Sequence, residues 1–120
     1  VYADHFIEQL GALILTISIT DQIFIGIFDT THPWHFSVSI VFFIGITYGW
    51  FIHGSGIILN ERKRTGVAIM WLGILHTTGW VLWSFVGIEG IAIPETIGAI
   101  LLAIWVLELT HNMREGSSII

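Results

Sequence analysis

The sequence contains no cysteine, which excludes disulfides, thiol nucleophiles, iron–sulfur clusters and cysteine-ligated zinc. Charged residues are also scarce, because Asp, Glu, Lys and Arg make up only 11% of the chain, whereas a soluble domain contains about a quarter. Four of the 120 residues are Lys or Arg, and the formal net charge is −5. Nucleic-acid binding needs clustered basic side chains against the phosphates, so we expect no nucleic-acid partner.

Apolar residues make up most of the chain, with 54% hydrophobic residues and a mean hydropathy of +0.84. Too few polar residues remain to cover a water-exposed surface, so we expect lipids to cover much of it. A membrane-spanning helix needs roughly 20 mostly apolar residues, and four segments qualify, at about 6–28, 35–59, 66–88 and 95–111. The sequence therefore predicts an all-α fold, an up-down antiparallel bundle of four transmembrane helices in a single domain over residues 1–120.

Basic residues occur at two places along the chain. Three lie in the segment 60–65 and Arg114 follows the last predicted span, whereas the predicted connections 29–35 and 88–94 contain none. Four spans put both basic sites on one side, so the positive-inside rule predicts a multi-pass protein of the cell membrane with cytoplasmic N- and C-termini. The segment Val1–His5 lacks the basic start of a secretory signal, so we expect the first apolar stretch to remain as a span.

Glycines recur at helical spacing in the two middle spans. Gly45 and Gly49 lie four residues apart in the second span, and Gly73 and Gly79 are predicted to share a face of the third. Small residues at such spacing let helix backbones approach closely within lipid. We interpret these glycines as helix-packing positions, with clearance for a flat cofactor as the alternative.

Two histidines lie within predicted spans, His53 in the second and His76 in the third. Imidazoles on adjacent antiparallel helices can bind a haem iron, so both are candidate cofactor ligands. Their predicted depths differ by roughly 6 Å at 1.5 Å per residue, and a buried histidine more often hydrogen-bonds a neighbouring hydroxyl or carbonyl group. We therefore favour structural hydrogen bonds over haem and assign the chain no cofactor of its own.

Asp21 places a carboxylate within the first predicted span. Such a residue is costly in a membrane and by default indicates ion chemistry or a specific partner. We interpret Asp21 as a buried polar anchor to another helix or subunit, with a proton or cation site as the alternative. Glu8 and Glu108 lie near the ends of their spans, where their carboxylates are expected to reach solvent or lipid headgroups.

The first predicted connection contains the candidate metal ligands Asp29, His32 and His35, each three residues apart. Histidine and carboxylate ligands suit copper or zinc, so this segment is a candidate metal site on the non-cytoplasmic side. The alternative is a polar turn at the membrane surface, in which Asp29 caps and Trp34 anchors among the headgroups.

The chain resembles the small accessory membrane subunit, subunit X, of archaeal ammonia monooxygenase. The resemblance rests on the size, the four predicted spans, the lack of cysteine, the Ile-rich composition and the polar segment Asp29–His35. It implies a structural role beside copper-bearing subunits, with ammonia oxidised elsewhere in the complex and no catalytic residue in this chain. The predicted function is an accessory, non-catalytic subunit of a larger membrane-bound enzyme complex, whose partners are other integral-membrane subunits and lipids.

Two other functions fit parts of the pattern. A small oligomeric transporter coupled to protons or cations would use Asp21, and four spans with a carboxylate in the first resemble the small multidrug resistance exporters. Those proteins place a glutamate in mid-helix, whereas this chain has Glu8 early and Asp21 late in the first span. A haem-bearing membrane anchor of a respiratory enzyme would use His53 and His76.

Overall fold

The computed structural model describes residues 6–87, 90 and 92–114, and the predictions for Val1–His5 and for residues 88 and 89 fall outside these ranges. The described residues form four α-helices of 22 to 25 residues. The helices are α1 Phe6–Ile27, α2 His35–Leu59, α3 Lys63–Val86 and α4 Ala92–Arg114. At 1.5 Å per residue each is about 33 to 38 Å long, enough to cross a hydrocarbon core of roughly 30 Å. The all-helical fold with four long apolar helices is confirmed.

Two helices begin earlier than predicted. The third predicted span began at residue 66, but α3 begins at Lys63. The fourth was predicted to begin after Pro94, but α4 begins at Ala92 and includes the proline in its first turn. A proline is tolerated there because the first backbone N–H groups of a helix have no intrahelical acceptor. The preceding helix ends at Gly87, whose φ of 72° is the left-handed conformation that commonly ends helices.

The helix α2 is the centre of the bundle and packs against each of the other three helices. Glu8 lies against Gly56 and Ser18 against Gly45, so α1 and α2 run antiparallel. No Cα atom of α1 lies within 8 Å of a Cα atom of α3 or α4 among the described residues. The helix α1 is therefore held by one neighbour and presents its remaining faces outward.

A single apolar core lies between the helices, while large hydrophobic side chains also cover the outside. The buried apolar side chains are Leu15, Phe42, Phe43, Ile46, Trp50, Ile57, Ile69, Leu101, Leu102 and Trp105. Outside this core, Phe85 is 81% exposed and Leu107 is 69% exposed. Apolar surface of this extent on all four helices is compatible with a membrane bundle, in which lipid covers it.

Three of the four glycines predicted to permit close packing lie at helix contacts. A Cβ at Gly49 would lie 2.8 Å from the Leu15 side chain of α1, and one at Gly73 would lie 3.1 Å from the Phe51 ring of α2. Gly45 faces the Ser18 hydroxyl of α1 in the same way. Gly79 differs, because a Cβ there would be 4.0 Å from Ile97, an ordinary contact that does not require glycine.

Candidate functional site

Glu8 forms a buried ion pair at one end of the bundle. Its side chain is 0% exposed and accepts hydrogen bonds from the Arg62 guanidinium and, at 3.3 Å, from the Asn60 amide. The sequence-based expectation that Glu8 reaches solvent or lipid headgroups is therefore wrong. The carboxylate lies in the first turn of α1 and instead joins that helix to the turn between α2 and α3.

The turn between α2 and α3 directs Arg62 towards Glu8. The N–H of Glu61 donates to the carbonyl of Ile58, and the N–H of Arg62 donates to the carbonyl of Ile57. These are the two hydrogen bonds of a Schellman motif, whose left-handed position is Glu61 with a φ of 66°. A non-glycine residue in this conformation is uncommon, so the turn is held by its contacts rather than by local preference.

His53 joins the same cluster from the interior of α2. Its imidazole is 1% exposed, and the Nδ1–H donates to the backbone carbonyl of Glu8 at 3.0 Å. Gly11 permits this contact, because a Cβ at that position would lie 2.6 Å from the His53 Cβ. The His53 Nε2 atom is then the acceptor nitrogen, and it has no hydrogen-bond partner among the described residues. The ring also meets Trp105 of α4 edge to face, with centroids 5.8 Å apart.

His76 has hydrogen-bond partners on both ring nitrogens. The Trp80 indole N–H donates to Nε2 at 3.2 Å, and Nδ1 lies 2.6 Å from the Thr47 hydroxyl. An indole N–H can only donate, so Nε2 is unprotonated and the neutral ring carries its proton on Nδ1. The Nδ1–H therefore donates to Thr47, which ties α3 to α2.

The predicted haem ligands are not brought together by the fold. His76 lies level with Thr47, whereas His53 lies six residues further along α2, about 9 Å at 1.5 Å per residue. Both nitrogens of His76 are already hydrogen-bonded, so only His53 offers a bare lone pair. These contacts agree with the favoured interpretation, in which both histidines hydrogen-bond neighbouring helices.

Asp21 lies on an outward-facing side of α1 and is not part of the buried seam through which α1 contacts α2. Together with Thr16, Ile17, Thr20 and Phe24 it lines an open groove of about 220 Å³. The Oδ2 atom of Asp21 is buried and has no hydrogen-bond partner among the described residues. Asp21 is therefore not anchored to another helix by any residue that the structure describes.

Asp29, His32 and His35 form a hydrogen-bonded turn between α1 and α2. Asp29 accepts hydrogen bonds from the Thr31 hydroxyl at 2.5 Å and its N–H at 2.9 Å, and these bonds lower the pKa of the Asp29 carboxyl. His32 Nδ1 accepts from the Trp34 N–H at 3.1 Å, and His35 Nδ1–H donates to the Phe28 carbonyl at 2.6 Å.

The three residues do not assemble into a metal-binding group within the described part of the chain. The hydrogen bonds of Asp29, His32 and His35 are all local to the turn, as the alternative interpretation of this segment as a polar turn predicts. The metal site that the three-residue spacing predicts has no support in the geometry.

A second open cavity, of about 380 Å³, lies between α1, α2 and α4 at the Asp21 end of the bundle. Gln22 and Glu95 contribute polar groups to its lining, and Phe42 contributes an apolar wall. The Oε1 atom of Glu95 is buried and has no hydrogen-bond partner among the described residues. Glu95 was not among the predicted site residues, because it lies at the start of the fourth predicted span.

The hydrogen-bonded cluster of Glu8, Arg62 and Asn60 was not predicted from the sequence either. The buried residues of α1 follow one another at spacings of three and four residues, and this spacing is visible in the sequence. They are Glu8, Gly11, Leu15 and Ser18. This spacing marks a helix-packing seam and places Glu8 inside it.

The described residues thus define an all-helical protein whose polar interior side chains mainly connect helices. Comparisons of the chain with protein-family models, curated proteins and solved structures found no match.

Proposed function

We propose that this chain is an accessory, non-catalytic structural subunit of a larger membrane-bound complex. One observation carries the proposal: the three buried side chains Glu8, His53 and His76 take part in hydrogen bonds that connect helices. Glu8 pairs with Arg62, and His53 and His76 bond α1 and α2 respectively. A side chain committed to such a bond stabilises the bundle rather than binding substrate.

The resemblance to subunit X of archaeal ammonia monooxygenase suggests one such complex, a copper membrane monooxygenase. In that assembly copper would be held by partner subunits, and this chain would contribute contacts within the membrane. Other integral-membrane subunits and lipids are then its partners.

Purification from native membranes tests the proposal. We expect larger integral-membrane subunits to co-purify with a tagged full-length chain extracted in mild detergent, at a fixed ratio over two different chromatographic steps. Copper analysis of the same particle tests the monooxygenase assignment separately, because copper should follow the larger subunits. Recovery of this chain alone or as a homodimer would contradict the accessory role.

We further propose that both termini face the cytoplasm. The turn with Arg62, Lys63 and Arg64 and the end of α4 with Arg114 lie at one end of the antiparallel bundle, and the Asp29 turn lies at the other. The absence of cysteine makes the test direct. In intact cells, a membrane-impermeant maleimide should label a Thr30→Cys variant and should label Lys63→Cys only after the membrane is opened. The reverse labelling would contradict this orientation.

A proton- or cation-coupled transporter is the second candidate. It is favoured by the unpartnered oxygens of Asp21 and Glu95, which lie at the same end of the bundle. Purified chain in sealed liposomes should then show proton flux that Asp21→Asn abolishes. Flux at the level of empty liposomes would remove this candidate.

A further inference from the structure

We propose that the outward surface of α1 around Asp21 binds a transmembrane helix of a different subunit that presents hydrogen-bond donors to it. The surface, here named the Asp21 face, consists of Thr16, Ile17, Thr20, Asp21 and Phe24. This inference rests on the proposed accessory function and specifies the contact by which the chain joins its complex.

No described residue outside α1 lines the groove of the Asp21 face. The helix α1 packs against α2 through the opposite seam of Glu8, Gly11, Leu15 and Ser18. The Asp21 face lies on the other side, where Ile17 is 56% exposed and Phe24 is 43% exposed. Apolar side chains surround the Asp21 carboxylate, whose Oδ2 atom has no hydrogen-bond partner among the described residues. Lipid tails offer no donor, so a donor from another protein would stabilise this carboxylate.

With Asp21 ionised, the polar groups of the Asp21 face can only accept hydrogen bonds. The Thr16 hydroxyl donates to the Ala12 carbonyl at 2.8 Å, and the Thr20 hydroxyl donates to the Thr16 carbonyl at 3.0 Å. Both hydroxyl protons are thus used within α1, and the Asp21 carboxylate is itself an acceptor. A partner that fits this surface must supply the donors, as Arg, Lys, His, Asn or Gln side chains do.

A second copy that meets this surface with its own Asp21 face does not supply them, because Gln22, the donor level with Asp21, lines the cavity between α1, α2 and α4. Two copies in the same membrane orientation that meet through this face would place Asp21 against Asp21 and acceptor against acceptor. The four Lys and Arg residues, Arg62, Lys63, Arg64 and Arg114, all lie at the far end of the bundle. Arg62 is level with Glu8, which is 13 residues or about 20 Å along α1 from Asp21. The complementary partner is therefore a different chain.

Photo-cross-linking from within the Asp21 face tests this proposal. The full-length chain carries benzoylphenylalanine in place of Phe24 or Ile17, and a control carries it in place of Leu82, which is 61% exposed on α3. Illumination of native membranes should join both Asp21-face probes to the same integral-membrane protein. The cross-linked peptide should lie in an apolar span that contains an Arg, Lys, His, Asn or Gln residue.

Variants at Asp21 then separate docking from folding. Asp21→Leu should lower the yield of the adduct about fivefold or more, in line with a hydrogen bond between helices in lipid. Asp21→Asn should lower it less, because the amide oxygen still accepts. Glu108→Leu, which removes another exposed carboxylate, should leave the yield unchanged. The isolated Asp21→Leu chain should unfold at the same detergent concentration as the wild type, since Asp21 Oδ2 has no bond to lose among the described residues.

Several outcomes would overturn the inference. One is an adduct of twice the chain mass of 13.4 kDa, which would identify a second copy. The others are adducts with lipid alone and an adduct yield that Asp21→Leu does not change. If these occur while larger subunits still co-purify, the accessory function stands and this contact is wrong. If nothing co-purifies either, both proposals fail.

Discussion

Removal of the Arg62 side chain should destabilise the bundle more than removal of its partner Glu8. In the Arg62→Ala variant, the fully buried Glu8 carboxylate keeps only the 3.3 Å hydrogen bond from Asn60. Breaking a buried ion pair from one side costs about 3 to 5 kcal/mol. We expect about 3 kcal/mol here, because Arg62 is 19% exposed and the first turn of α1 also stabilises a carboxylate.

The Glu8→Leu substitution removes the other side of the ion pair and leaves Arg62 in place. In Glu8→Leu, the long Arg62 side chain, which is already 19% exposed, can extend towards the headgroups, so its charge need not remain buried. We expect a loss of about 1.5 kcal/mol, comparable to one hydrogen bond to a charged group. The double variant should lose much less than the sum of the two, with a coupling free energy of about 2 kcal/mol.

Unfolding in mixed micelles of a mild detergent and dodecyl sulfate measures these differences. The six tryptophans provide a fluorescence signal, and far-ultraviolet circular dichroism reports the helices independently. Arg64→Ala is the matched control, because Arg64 is exposed and neighbours the same turn, and it should change stability by less than about 0.5 kcal/mol. Equal, additive effects of Arg62→Ala and Glu8→Leu would refute the reasoning.

Two further predictions concern helix contacts. Gly11→Ala should destabilise the chain by about 2 kcal/mol, because the new methyl group would overlap His53. Gly26→Ala should stabilise it by about 0.5 kcal/mol, because a Cβ there has nothing within 4 Å and alanine has the higher helix propensity. Thr47→Val should cost about 1 to 2 kcal/mol, because it leaves the buried His76 Nδ1–H without its acceptor. The same micelle titration checks both, with Thr47→Ser as the control that keeps the hydroxyl. Equal stability of the two glycine variants, or of the two Thr47 variants, would contradict the contacts described.

Residue composition was sufficient to predict the architecture because lipid imposes one simple condition. A span must be apolar for roughly 20 residues and must satisfy its own backbone hydrogen bonds. Helix ends depend on finer features, and these were less predictable. The start of α4 was displaced from its predicted position because Pro94 was treated as a helix breaker, although a first-turn proline is favourable.

The internal polar contacts were harder to predict because they depend on tertiary structure. Glu8 and Arg62 are 54 residues apart in sequence, and their approach requires Glu61 to adopt a left-handed conformation that glycine usually occupies. Gly11 is a single glycine without a repeat, so no pattern marked it as a close approach to α2. By contrast, Asp21 was singled out from the sequence alone, since a carboxylate in an apolar segment is visible without any structure. No anchor for it lies among the described residues.

Native mass spectrometry of the particle that contains this chain tests the accessory role. We expect a particle with other integral-membrane chains at a constant ratio for the wild type, and loss of this chain from the particle in the Asp21→Leu variant. A wild-type chain that is released only as a monomer or homodimer, whatever the detergent, would contradict the accessory role.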